Sequence, residues 1–332
     1  MFEHGYALLI GVDQNKVASL ALPIVAKDVT KLKGVITHPE RCGYLEENVL
    51  VLTGTEATHE KILDGLDWLR AKLEADEDTN QTALIYYSGH GHREASGDSF
   101  LIPYDARFPI RLGGLAAKDF ADSINSIRPR RLLVVLDCCH AAGLNVKDVA
   151  ESGLASTAVT PDTPGIALLA EGDGRAVLSS SRGDQKSWIR NDGQMSVFTY
   201  HLVEALTGHA GRPARPEVTV TEVMEYVGRT VSATAKSQHN AKQEPVFQFL
   251  GTAFPIALVC GGKGVEKGIA APDPLAALPI IVRSTLTVGK VEDEATNVDI
   301  EEMRHGQVDA TTNAKLLKKG GKLTSVKIKR LG

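Results

Sequence analysis

Residues 82–91 read TALIYYSGHG. Thr82–Tyr87 is apolar or aromatic at both alternations and is bounded by small residues, so it reads as a short strand buried on both faces. It runs into Ser88-Gly89-His90-Gly91, which leaves an imidazole just past the strand's carboxyl end. A second stretch has the same build. Residues 131–140 read RLLVVLDCCH, with Arg131–Leu136 as strand, then Asp137, the thiols Cys138 and Cys139, and His140. Open parallel sheets form their sites beyond the carboxyl ends of their strands. If these two strands are neighbours, the imidazole and a thiol meet there.

The surrounding chain supplies the rest of such a sheet. Tyr6–Val12, Val49–Thr53, Arg175–Ser179 and Pro245–Phe249 are further short apolar runs. Thr58 opens a segment whose Ile62, Leu66, Leu69 and Leu73 fall on one helical face. Ala116–Ile127, Phe198–Leu206 and Thr219–Val231 also read as helices, the last opened by the capping-box pair Thr219 and Glu222. Apolar strands alternating with helices imply an α/β fold, a mostly parallel central sheet flanked by helices. Ala141–Gly174 is long and rich in small residues, and loops of that length in compact domains are usually functional. Gly261–Pro279 carries several Gly and three Pro and reads as a linker. Beyond it Thr285–Val291, Asn297–Met303 and Thr324–Leu331 alternate like short strands. Asp299, Glu301 and Glu302 on one oppose Lys327, Lys329 and Arg330 on another, which favours their pairing. The expected division is a main domain over 1–260 (halves 1–143 and 175–260 around a loop at 144–174), a linker over 261–278, and a small C-terminal β module over 279–332.

Composition narrows the function. The chain has 332 residues and a net charge of −4, which argues against a strongly basic nucleic-acid binder. No stretch approaches the roughly 18 apolar residues that span a bilayer, and no export signal is read at the start. Lone Cys42 and Cys260, with the adjacent pair Cys138 and Cys139, do not frame a disulfide scaffold and fit a reducing cytoplasm. The expectation is a cytoplasmic protein with neither nucleic acid nor membrane as partner.

A thiol with a pKa of about 8.5 is mostly protonated at neutral pH. A neighbouring imidazolium stabilises the thiolate for attack on an amide carbonyl, and the ring then protonates the leaving amine. The developing oxyanion needs donors, for which the backbone N–H groups of Gly91 and Cys139 are the candidates. His90 precedes the thiol by about 50 residues, the order and spacing of one cysteine-protease family.

At these residues the chain resembles the caspase-like peptidases of clan CD, and most of all metacaspases and their bacterial orthocaspase relatives. YALLIGVD at Tyr6–Asp13 resembles that group's first strand, and AKDVTKL at Ala26–Leu32 resembles a conserved helix start. IYYSGHG at Ile85–Gly91 and LLVVLDCCHAAG at Leu132–Gly143 resemble its histidine and cysteine motifs. VFTYHLVEALTG at Val197–Gly208, VTVTEVMEYV at Val218–Val227 and QEPVF at Gln243–Phe247 resemble its smaller half. The resemblance spans about residues 5–258. It implies the caspase-hemoglobinase fold, with His90 and Cys139 as a catalytic dyad. Cys139 is selected over Cys138 because the family's nucleophile directly precedes a His. It also places Asp28, Asp137 and Ser88 in the primary specificity pocket. Two carboxylates there suit the side chain of Arg or Lys and repel Asp. True caspases cut after Asp, and their Gln-Ala-Cys signature is absent here. Ala141 departs from the Ser that many metacaspases carry after the Cys-His pair.

The expected activity is therefore a cysteine endopeptidase acting on proteins after Arg or Lys, in a stress or defence pathway with an upstream activator. Lys147, the basic residue of Ala141–Gly174, is the candidate self-cleavage site, with Arg175 disfavoured because it starts a strand. No cofactor is expected. Calcium is left open, since Asp148, Glu151, Asp162 and Asp173 are available but not spaced like an EF-hand. A zinc site from His90, His92, Cys138, Cys139 and His140 fits poorly, because structural zinc uses Cys pairs two to four residues apart. The remaining alternative is a catalytically silent scaffold that recruits a partner through its tail.

Overall fold

The computed structural model describes residues 2, 4–39, 41–78, 80–94, 96, 98–139, 174–182, 185–211, 217–250 and 252–258. It also describes the backbone of four strands within 281–328. Of Cys139, Leu250 and Leu258 the backbone alone is described. The chain divides into two compact units, Met1–Ile269 and Ala270–Gly332. The expected loop at 144–174, apart from Gly174, and the expected linker at 261–278 lie outside the described residues.

In the first unit the elements run β1 (Gly5–Gly11), α1 (Ile24–Thr37), β2 (Val49–Thr53), α2 (His59–Ala75), β3 (Thr82–Arg93), β4 (Ser99–Leu101), β5 (Leu115–Ala116) and α3 (Ala117–Ser126). They continue with β6 (Arg131–Cys139), β7 (Arg175–Ser179), α4 (Val197–Glu204), β8 (Glu217–Thr219), α5 (Val220–His239), β9 (Val246–Leu250) and β10 (Pro255–Leu258). The sheet order is β2-β1-β3-β6-β7-β9, with β4 and β5 extending from β3. All of these ladders are parallel except β7 with β9 and the β3–β4–β5 extension.

Period-two alternation sorts the strands onto two cores. Ala7, Leu9, Leu84, Tyr86, Leu133 and Val135 pack with Val25 and Leu32 of α1, Phe198 of α4 and Val227 of α5. Leu8, Ile10, Ile85, Tyr87, Val134 and Leu136 pack with Ile62, Leu66 and Leu69 of α2 and Phe120 of α3. Burying each of the Val, Leu, Ile and Phe side chains among them is worth about 1.5–3 kcal/mol, so the two faces fix both the sheet and its strand register. Thr58 caps α2 by accepting from the Lys61 N–H, and Thr219 with Glu222 forms the capping box expected at α5. Among the described residues no helix is long and apolar enough to cross a membrane.

Gly174 enters β7 with φ +72°, and a Cβ there would sit 2.2 Å from the Arg130 carbonyl oxygen. Gly174→Ala is expected to destabilise the chain by more than about 1 kcal/mol. The check is a lower urea midpoint at unchanged slope. The next residue, Arg175, is buried, and its guanidinium donates to the carbonyls of Ile127 and Ile124 at the end of α3.

The second unit holds β11 (Ile281–Val288), β12 (Glu294–Ile300), β13 (Gln307–Ala314) and β14 (Lys322–Ile328). β12 pairs with β14, bringing Asp299 into register with Lys327, and the ladder is parallel. β13, which the sequence pattern did not reveal, pairs in parallel with β11.

Candidate active site

The apolar run alone ends β3 at Tyr87 and places His90 beyond it. The strand instead runs to Arg93, because Gly91, His92 and Arg93 find antiparallel partners in Leu101, Phe100 and Ser99. β6 likewise continues through Asp137 and Cys138 to end on Cys139. The two strands stay paired up to His90 on β3 and Cys139 at the end of β6. Ser88 stands in register with Asp137, and His90 with Cys139. Adjacent strands lie about 4.8 Å apart, so the histidine and cysteine backbones are immediate neighbours at the carboxyl end of the sheet.

The backbone at His90 is held from several directions. Its carbonyl accepts from the Ile102 N–H at 3.0 Å and from the Tyr87 hydroxyl at 3.0 Å. The bond from Ile102 makes Gly91 and Leu101 a non-hydrogen-bonded pair, whose N–H groups turn away from each other's strand. The Gly91 N–H therefore points from β4 toward the β6 side, where Cys139 lies. The His90 side chain is 5% exposed, and His92 is also buried, its pKa lowered by burial.

Behind the His90–Cys139 pair lies a buried acidic pair. The inward positions of α1 are Ile24, Val25, Asp28, Val29, Leu32 and Ile36. Asp28 thus stands where the helix pattern calls for an apolar side chain, and it is 0% exposed. Asp137 is also 0% exposed. Carboxylates are costly to bury without partners, and here Ser196, at the start of α4, serves both. Its N–H donates to Asp28 Oδ1 at 3.0 Å, and its hydroxyl donates to Asp137 Oδ2 at 2.7 Å. Ser187 and Thr199 also donate to Asp137, at 2.9 and 2.8 Å. Because the Thr199 proton is committed to Asp137, the Tyr86 hydroxyl donates to Thr199 at 2.7 Å. Gln243 holds Ser187 by donating to its hydroxyl at 3.2 Å. Among the described residues neither carboxylate takes part in an ion pair.

Burial, and then the Asp137 charge, push the Asp28 carboxyl up from 3.8 to about 8, against the pull of the Ser196 N–H. Between about pH 4 and about pH 8 the folded protein keeps a proton that the unfolded chain, titrating near 3.9, has released. Stability therefore falls as pH rises through that window and levels off above it. Asp28→Asn retains an acceptor for the Ser196 N–H and removes the titration. It is expected to flatten that part of the stability curve, and an unchanged slope in urea melts at stepped pH refutes the assignment.

The two adjacent thiols have different fates along the strand. Cys138 is 2% exposed and lies in the apolar layer with Leu136, Val134 and Ile10. Burial and the Asp137 carboxylate push its thiol far above the ordinary range. Cys42 is likewise buried, its thiol pushed up to about 12. Such thiols are inert. Cys139 takes the register position beside His90.

Of the residues singled out from sequence, Asp28, Ser88, His90, Gly91, Asp137 and Cys139 converge on this end of the sheet. Lys147 and the acidic residues Asp148, Glu151, Asp162 and Asp173 lie outside the described residues. Ser187, Ser196 and Thr199 were not singled out from sequence. The available signal was Ser196, a helix-capping residue type directly before the apolar start of α4. Among the described residues no group of three His, Cys, Asp or Glu side chains is placed to hold a metal ion.

A family model described as "Caspase domain" matches residues 4–254. None of the curated proteins compared with the chain matches it. Among solved structures, the crystal structure of Caspase-1 from Spodoptera frugiperda is similar with a TM-score of 0.48 and 15% identity, over 75% of this chain and 90% of that one.

Proposed function

The chain belongs to the caspase-domain family of cysteine peptidases, and from that premise we propose that it is an endopeptidase cutting protein chains after Arg or Lys. Its catalytic dyad is His90 and Cys139. Asp28, Asp137 and Ser88 form the pocket for the basic side chain. The observation that carries this reading is the fully buried Asp28–Asp137 pair, joined through Ser196 and without a cation among the described residues. A site that keeps two acidic side chains out of water, with Asp28 holding its proton up to about pH 8, is completed by a guanidinium or ammonium, which pairs with Asp137 and favours ionisation of Asp28.

In the proposed reaction the Cys139 thiolate, stabilised by the His90 imidazolium, attacks the carbonyl carbon of the basic residue. The backbone N–H groups of Gly91 and Cys139 receive the oxyanion. His90 protonates the leaving amine as the tetrahedral intermediate collapses to a thioester. Water, deprotonated by His90, then hydrolyses the thioester and frees the thiolate. Self-cleavage after Lys147 in a cytoplasmic setting completes the proposal. Arg175 is a poor alternative, because it is buried in β7 with its guanidinium tied to α3.

The deciding assay is a fluorogenic peptide panel varying the residue before the scissile bond, run on wild type and Cys139→Ala, with and without calcium. Cleavage after Arg and Lys is expected, and faster cleavage after Asp overturns the pocket assignment. Intact-mass analysis of the same two proteins tests Lys147, since only wild type should show that cut. A silent scaffold predicts instead that an arginyl electrophile leaves Cys139 unlabelled.

A further inference from the structure

Within the unit Ala270–Gly332 the chain passes through β11, β12, β13 and β14 in order, yet the ladders join alternate strands. β11 pairs with β13 and β12 with β14, both in parallel. That is a coil of two turns, β11–β12 stacked on β13–β14. Each turn has one ladder edge in use and the other without a partner among the described residues of the unit. An unpaired edge is a template for another strand.

The register shows what such an edge accepts. Every charged residue in the four strands stands opposite a residue of the other sign. Arg283 pairs with Asp309, Glu294 with Lys322, and Asp299 with Lys327. The first turn thus carries the signs plus, minus, minus, and the second minus, plus, plus. Identical residues also face each other, as with Thr285 and Thr311, or Val298 and Val326. In-register stacking of like residues is what parallel β-stacks use to pack.

We propose that this unit stacks on further copies of itself, head to tail, the free edge of the second turn receiving the first turn of the next chain. In that arrangement the three opposite-charge pairs recur across every junction. First turn on first turn, or second on second, in the same register sets like charges opposite, which destabilises a ladder. A head-to-tail contact of this kind does not close, so it propagates as a filament, with strands repeating at about 4.7–4.8 Å along its axis. Each added copy brings its own peptidase unit, so stacking raises the local concentration of peptidase.

The test uses the full chain carrying Cys139→Ala, to prevent proteolysis. Sedimentation should show open-ended growth with concentration, and fibres should diffract at the strand spacing. A chain that stays monomeric, or stops at a closed dimer, overturns the proposal. Polarity is read by mixing Thr285→Cys and Thr311→Cys chains with a short thiol crosslinker. Crosslinks should form between the two kinds of chain and not among Thr285→Cys chains alone, and the reverse pattern overturns the stacking direction. Exchanging the signs of all three pairs (R283D with D309R, E294K with K322E, D299K with K327E) preserves the pairing within a chain. That protein should assemble alone yet fail to enter wild-type filaments. Free mixing of the two overturns the charge argument. Should the exchanged protein not fold, the crosslinking pattern decides the stacking on its own.

Discussion

Cys139→Ala is expected to lower kcat/KM for an arginyl peptide by about 10⁴-fold or more, whereas Cys138→Ala leaves it within about threefold. The residues are chemically identical and adjacent, so the contrast isolates position. Cys138 lies in the apolar layer with Leu136 and Val134, 2% exposed. Its thiolate is opposed by burial and by the Asp137 charge. A thiol that does not ionise neither attacks a carbonyl nor reacts with an electrophile. Removing it costs packing alone, about 1 kcal/mol for so small a side chain. Cys139 occupies the register position of His90, where an imidazolium would stabilise its thiolate. Steady-state kinetics on both variants, with mass mapping of an arginyl electrophile, checks the assignment. Substantial activity or labelling in Cys139→Ala would remove Cys139 as the nucleophile.

The second large effect is expected at the acidic pair. Asp137→Asn should reduce kcat/KM for arginyl substrates by about 150- to 5,000-fold, the factor that corresponds to the roughly 3–5 kcal/mol lost when one partner of a buried ion pair is removed. The loss should be small for a citrulline peptide, which keeps the shape of arginine without its charge, so the preference for Arg over citrulline should collapse. Asp28→Asn should act in the same direction. It should also raise stability at neutral pH, because the folded protein then no longer holds a proton the unfolded chain releases. Opposite signs for activity and stability are expected of a group kept for binding at the expense of the fold. Unchanged arginyl kinetics in both variants would place the cation pocket elsewhere. In wild type, a bound guanidinium favours the ionised Asp28 carboxyl, so KM for arginyl peptides should fall as pH approaches about 8.

Much of this molecule is written in local pattern. The runs at Tyr6–Val12, Val49–Thr53 and Arg175–Ser179 correspond to β1, β2 and β7 within one or two residues. The Ile62–Leu73 spacing lies on the inner face of α2, and the Thr219–Glu222 pair caps α5. Those features are legible because strand and helix periods, and the hydrogen bonds of a helix's first turn, involve residues only a few positions apart. The opposed charges of the tail strands similarly announced the pairing of β12 with β14, since cross-strand partners are chosen by side-chain chemistry.

Partners far apart in the chain were another matter. No period in α1 explains why Asp28 takes an apolar position. The reason appears only when the Ser196 N–H, 168 residues away, reaches it. Ser187, Ser196 and Thr199 read as ordinary hydroxyl residues until folding places all three on Asp137. The extension of β3 likewise depended on β6 pairing with Ser88–His90 and on β4 pairing with Gly91–Arg93, and the alternate parallel pairing of the tail depended on which edge each strand met. Sequence alone determined which faces would be buried and which chemistry was available, because burial and capping are local decisions. The tertiary structure decided which polar groups share a buried space and which thiol lies in the core, because a hydrogen bond or a ladder is a property of two segments, and neither carries the other's address.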